Sequence, residues 1–94
     1  MKNKDAYIAE MKSQLDALNA TMHELEAKVA LAQADMRAKY EEEVAKLRHQ
    51  STLAQAKLDE LRASSEASWT TLVAGTEKVR DAFVHSFHYL KSQL

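Results

Sequence analysis

The sequence predicts an all-α protein. The expected form is a long helix with a shorter C-terminal helix folded back on it as a hairpin, assembling into a coiled coil or four-helix bundle. Three observations predict this. The 94 residues contain no proline and one glycine, Gly75. Alanine, the strongest helix former, occurs sixteen times, with Leu, Lys, Glu, Gln and Met close behind it in propensity. Ile8, Met11, Leu15, Leu18, Met22, Leu25, Val29, Ala32 and Met36 follow one another at alternating three- and four-residue steps. Such spacing winds one apolar stripe along a helix and calls for another helix to cover it.

The long helix is expected over 4–62, opening at Asn3 or Asp5, both good N-cap residues. After Met36 the core residues are Tyr40, Val44 and Leu47, and the beat continues through Ser51, Ala54, Leu58 and Leu61. Met36 to Val44 is one residue longer than a heptad, which reads as a skip in register within a continuous helix. The stretch Arg37–Glu43 offers no turn chemistry. Three acid-first pairs four residues apart, Glu24–Lys28, Asp35–Lys39 and Glu42–Lys46, support the exposed side.

A turn is expected over 63–66, where serines interrupt the helix formers and can cap a new helix. Residues 67–94 then form an amphipathic helix. Trp69, Leu72, Val73, Val79, Phe83, Val84, Phe87, Leu90 and Leu94 share one broad arc, and Glu77, Asp81, His85 and His88 lie opposite. Gly75 weakens this helix locally and could admit a close helix contact. The long helix would span roughly 85 Å and the short one roughly 40 Å. The N-terminal half of the stripe would then lack internal cover and need a second chain.

The whole chain reads as a single helical domain, 1–94, with a thin core, because alanine buries little area and only six residues are aromatic. Oligomerisation is the natural remedy, so the chain itself is the expected partner, with another helical protein as an alternative. The 13 basic and 14 acidic residues leave a net charge of −1, without the basic excess that phosphate binding needs, so no nucleic-acid partner is expected. No cysteine is present, which excludes disulfides, thiolate metal sites and thiol catalysis. The sequence shows neither a secretory signal pattern nor a run of apolar residues that could span a membrane, so a soluble cytoplasmic protein is expected.

Three segments stand out: Ala6–Lys12 with Gln14-Leu15-Asp16, Lys39–Leu47, and Ser65-Glu66-Ala67-Ser68-Trp69 continuing to Leu72 and Ala74-Gly75. Together they resemble a family of short bacterial coiled-coil proteins found in proteobacteria and cyanobacteria. The resemblance covers most of residues 4–80 and implies a fold type with little mechanism; some members are labelled stress-response proteins. The tail Phe83–Tyr89 is richer in aromatic and histidine residues than that family's pattern.

Candidate sites are few. Asp81, His85 and His88, at i, i+4 and i+7, could contribute to a divalent-metal site completed by a second chain. A solvated helix face carrying two histidines is the favoured reading of the same residues. The Glu-x-x-His motif of di-iron bundles does not occur. Glu41, Glu42 and Glu43 point about 100° apart on a helix and cannot converge. His23 and His49 stand without a catalytic neighbour in sequence, and Trp69 reads as a packing anchor. No catalytic residue and no cofactor is expected, and the function expected is structural or interactive. A membrane-surface role for 67–94 is the alternative, but Lys78, Arg80 and Lys91 make a thinner basic face than lipid binding usually needs.

Overall fold

The computed structural model describes residues 3–94 and holds three helices: α1 (Lys4–Ala30), α2 (Ala34–Arg62) and α3 (Glu66–Gln93). Helix accounts for 91% of it, and no strand occurs among the described residues. Each helix has an acid in its first turn and a base in its last: Asp5 and Lys28, Asp35 and Arg62, Glu66 and Lys91. These charges oppose the helix dipole at both ends. Asn3 caps α1, its Oδ1 accepting from the Ala6 amide at 2.7 Å.

The helices run up, down and up, as side-chain bonds between them show. Along the α1–α2 pair Asn19 meets Ser51 and Glu26 meets Arg48, so positions fall on α2 as they rise on α1, the antiparallel order. Tyr40 Oη donates to the Gln93 carbonyl at 3.0 Å across the antiparallel α2–α3 pair. Tyr7 Oη donates to Glu77 Oε1 at 2.9 Å across the parallel α1–α3 pair. The rod measures 50 × 18 × 17 Å. Its packing is uneven: α3 lies along α2, α1 rests mainly on α2, and α1 touches α3 sparingly.

One buried core runs the length of the rod. It takes Met11, Leu15, Met22, Leu25 and Val29 from α1, Tyr40, Val44, Leu47, Ala54, Leu58 and Leu61 from α2, and Phe83, Phe87 and Leu90 from α3. Tyr7, Ile8, Leu18, Ala32, Trp69, Leu72, Val73 and Val79 pack against it half-buried. Each fully buried Leu contributes roughly 1.5–3 kcal/mol relative to exposure.

The expected unbroken helix over 4–62 is corrected. The chain turns at Leu31-Ala32-Gln33, so the 85 Å rod becomes two helices lying side by side. The turn uses no left-handed residue: Leu31 is in the right-handed region at φ −90°, ψ −4°, and Gln33 is extended at φ −61°, ψ 149°. Leu31 and Ala32 donate backward three residues, to Lys28 and Val29, and Arg37 Nη2 covers the Ala32 carbonyl at 2.9 Å. The extra residue after Met36 is therefore the offset between two helices with independent registers. Arg37–Glu43 is helical, and the break lies upstream of it.

The turn also removes the reason for external cover of the N-terminal stripe, because α2 covers it within the same chain. Met36, expected in the core, is instead 38% exposed beside the turn. The second turn occupies 63–65, with α3 starting at Glu66, one residue before the expected start. Ser65 makes no capping bond to α3; its hydroxyl lies 3.3 Å from that of Ser68. Gly75 admits no close contact, since a Cβ built there meets nothing within 4 Å. Lys46 pairs with Glu43 at 3.1 Å, three residues back rather than four.

Candidate functional site

The polar chemistry of this bundle is concentrated where α1 meets the other two helices. Near its N-terminus, Lys4 Nζ donates to the Ser64 carbonyl and lies 5.7 Å from the centre of the Trp69 ring. Tyr7 meets the same indole edge-on, with ring centres 5.6 Å apart. Trp69 is thus an anchor for the start of α1 against the α2–α3 turn, half-buried as amphipathic aromatics commonly are.

One turn along, the Tyr7 hydroxyl donates to Glu77, which had been expected on the solvent face of α3. Burial pushes the Tyr7 phenol up to about 12, with the hydrogen bond to the Glu77 carboxylate and its negative charge adding to the shift. A raised folded value means the contact stabilises the fold fully below pH 10 and loses that contribution as the pH climbs toward 12. Arg80 then reaches Gln14 Oε1 at 3.2 Å while its Nε and Nη2 hold Asp81 Oδ1 at 3.1 and 3.0 Å.

On the α2 side, Ser51 Oγ donates to Asn19 Oδ1, and Arg48 Nε donates to Glu26 Oε1 at 3.0 Å. The Arg48 hydrogen bond holds the Glu26 carboxyl below its ordinary range, with His23, 3.5 Å away through Nδ1, assisting. His23, Glu26, Arg48, Ser51 and Thr52 line one open groove. Their bonds are internal: Ser51 donates to Asn19, Thr52 donates to the Arg48 carbonyl at 3.0 Å, and Glu26 is held by Arg48. The Asn19–Ser51 and Glu26–Arg48 bonds each join α1 to α2.

The metal candidates are not gathered into a site. Asp81 is engaged by Arg80, His85 is exposed, and exposed His88 meets the Phe87 ring edge-on at 5.6 Å. Among the described residues, no group of three or more His, Asp or Glu side chains converges to hold an ion. The apolar arc of α3 faces inward, with Phe83, Phe87 and Leu90 buried. No helix among the described residues is long and apolar enough to cross a membrane.

Two further grooves have largely apolar walls. Ala17, Leu18, Val84 and Phe87 wall a groove between α1 and α3, with Gln14, Arg80 and Lys91 beside them. At the other end of α1, Leu31, Met36 and Leu94 line a cavity with Tyr40 at the turn. Leu31 is 88% exposed. The cross-helix straps of α1 escaped the sequence reading because their partners lie 22 to 70 residues apart. Tyr7, immediately before the stripe residue Ile8, was their one local signal.

The class defined by this geometry is an up-down-up three-helix bundle whose first helix is strapped to the other two by polar pairs. No family model matches the chain, and no curated protein or solved structure matches it.

Proposed function

We propose that this chain is a non-enzymatic structural and interaction protein of the cytoplasm that works by helix-on-helix association, with other copies of itself as the first partner. The observation that carries this reading is the exposed apolar surface at the α1–α2 turn, where Leu31, Met36 and Leu94 share one cavity wall. Three large apolar side chains grouped at one end of a small helical rod suit contact with another helix better than contact with water. The polar clusters satisfy one another within the bundle, which supports a packing role over a chemical one.

A stress association, implied by the resemblance to short bacterial coiled-coil proteins, belongs to the same reading. Lipid binding through α3 is the weaker alternative, because Phe83, Phe87 and Leu90 would have to leave the core to reach a bilayer. Sedimentation velocity across micromolar to millimolar concentration tests the proposal. A concentration-dependent dimer or higher oligomer is expected, and a monomer throughout, with full helical circular dichroism, would overturn it.

A further inference from the structure

The turn between α1 and α2 is built from residues that favour helix. Leu31, Ala32 and Gln33 are good helix formers, the turn contains neither glycine nor proline, and no backbone angle in it is left-handed. The Gln33 side chain makes no capping bond to α2. Leu31 is almost wholly exposed, so the side-chain hold on the turn comes from Ala32, half-buried against the core, and from the Arg37 bond to the Ala32 carbonyl. The apolar stripe of α1 also runs straight on through it: Val29, Ala32 and Met36 keep the three-and-four spacing. A single helix over 4–62 is therefore a locally available alternative to the turn, and Met36 is the stripe residue left exposed by the closed form.

α1 also shares the smallest interface with its neighbours, resting mainly on α2 and touching α3 sparingly. The seat it would leave is demonstrably complementary to it: an apolar stripe on α2 plus Glu77, Arg80, Ser51 and Arg48 as polar partners. An identical α1 from a second copy fits that seat contact for contact, as exchange of an identical element requires.

The geometry of exchange closes. Asn19 faces Ser51 and Glu26 faces Arg48, so the midpoints of these pairs fall at positions 35 and 37. Two straightened chains pairing in this antiparallel register would cross close to Met36, bringing the exposed Met36 of one copy against that of the other. The two-fold contact is thus made by the residue that the closed form leaves out of its core.

We infer that α1 exchanges between two copies of this chain, the 31–33 turn straightening into a continuous helix in each, so that each α1 occupies the other copy's seat. This rests on the self-association proposed above and specifies its mode. The partner is a second copy, and the assembly is an antiparallel pair of long helices with one α3 packed at each end.

Ala34→Pro tests the exchange. Ala34 is the first residue of α2, its amide makes no turn bond, and Gln33 before it is already extended, the conformation proline imposes on its predecessor. The closed bundle should accept the substitution. In a continuous helix the same proline would lose a backbone bond and clash with the preceding turn, weakening the dimer by about a hundredfold for each chain opened.

A second measurement works in the unsubstituted turn. The chain has no cysteine, so Ala9→Cys with Arg62→Cys can carry a dye pair; these two positions wall one groove in the closed bundle. Within a straightened chain they would be separated by about 80 Å of helix. Doubly labelled protein is diluted into excess unlabelled chain, and energy transfer is read in separated monomer and dimer. High transfer in the monomer, low transfer in the dimer and loss of the dimer with Ala34→Pro are expected. A dimer that keeps high transfer, or survives Ala34→Pro at unchanged affinity, would overturn the exchange and leave self-association standing. A chain that is monomeric at every concentration would overturn both.

Discussion

Gly75 sits about a third of the way along α3 with helical neighbours on both sides, no left-handed angle and open space where a Cβ would go. Nothing in the closed bundle uses its freedom, so it costs conformational entropy without return. Gly75→Ala should stabilise the protein by about 0.5–1 kcal/mol. That corresponds to a thermal midpoint raised by roughly 2–8 °C for a domain of this size, read by circular dichroism. An unchanged or lower midpoint would show that this position is engaged by something outside the closed chain. Other single residues illustrate how far local reasoning reaches. The arc containing Phe83, Phe87 and Leu90 was legible from spacing, and all three are buried. Glu77 lies off that arc and was read as solvated, yet it accepts from Tyr7, seventy residues away. A half-buried carboxylate with a distant hydroxyl donor leaves no local signature.

At the scale of the element, the α1 stripe was legible because burial and periodicity coincide: Met11, Leu15, Met22, Leu25 and Val29 are all in the core. The end of α1 was not legible, since Leu31, Ala32 and Gln33 would continue a helix on intrinsic preference alone. Tertiary packing ends it there: folding back covers the stripe inside the chain, and local propensity yields. The one-residue skip was a true signal attached to the wrong cause. It marks two registers meeting at a turn.

The α1–α2 pair is strapped near this turn by Glu26 and Arg48, which gives it a pH dependence of defined sign. Arg48 holds the Glu26 carboxyl below its ordinary value of 4.5. The strap therefore stabilises the fold fully above that value and loses its contribution as the pH falls through the depressed folded one. Glu26→Gln should lower the thermal midpoint at pH 6, and the gap between variant and parent should close on acidification below about pH 4. A gap that stays constant from pH 6 to pH 3 would remove the ionised pair from the account.

For the whole molecule, the unequal packing of the three helices makes stability uneven along the chain. α2 and α3 share the most extensive helix–helix interface, and Leu47, Leu58, Leu61, Phe83 and Leu90 of these two helices are each at 0% exposure. α1 has five buried side chains and α3 four, but α1 shares the smaller interface, chiefly with α2, and joins its neighbours through partly exposed polar straps. A helix with the smaller docked interface opens at lower free energy than the global unfolding, and it does so as a unit when its amides depend on one docked face. Native-state hydrogen exchange should therefore show the amides of 8–28 exchanging together by a sub-global opening, ahead of those of 44–61 and 80–90. Dilute protein is the condition for the measurement, so that association contributes no protection. The same opening would release α1 for exchange, so Ala34→Pro should leave the α1 opening in place while abolishing the dimer. Uniform protection across all three helices would mean that α1 is as firmly docked as α3. The bundle would then open only by unfolding completely.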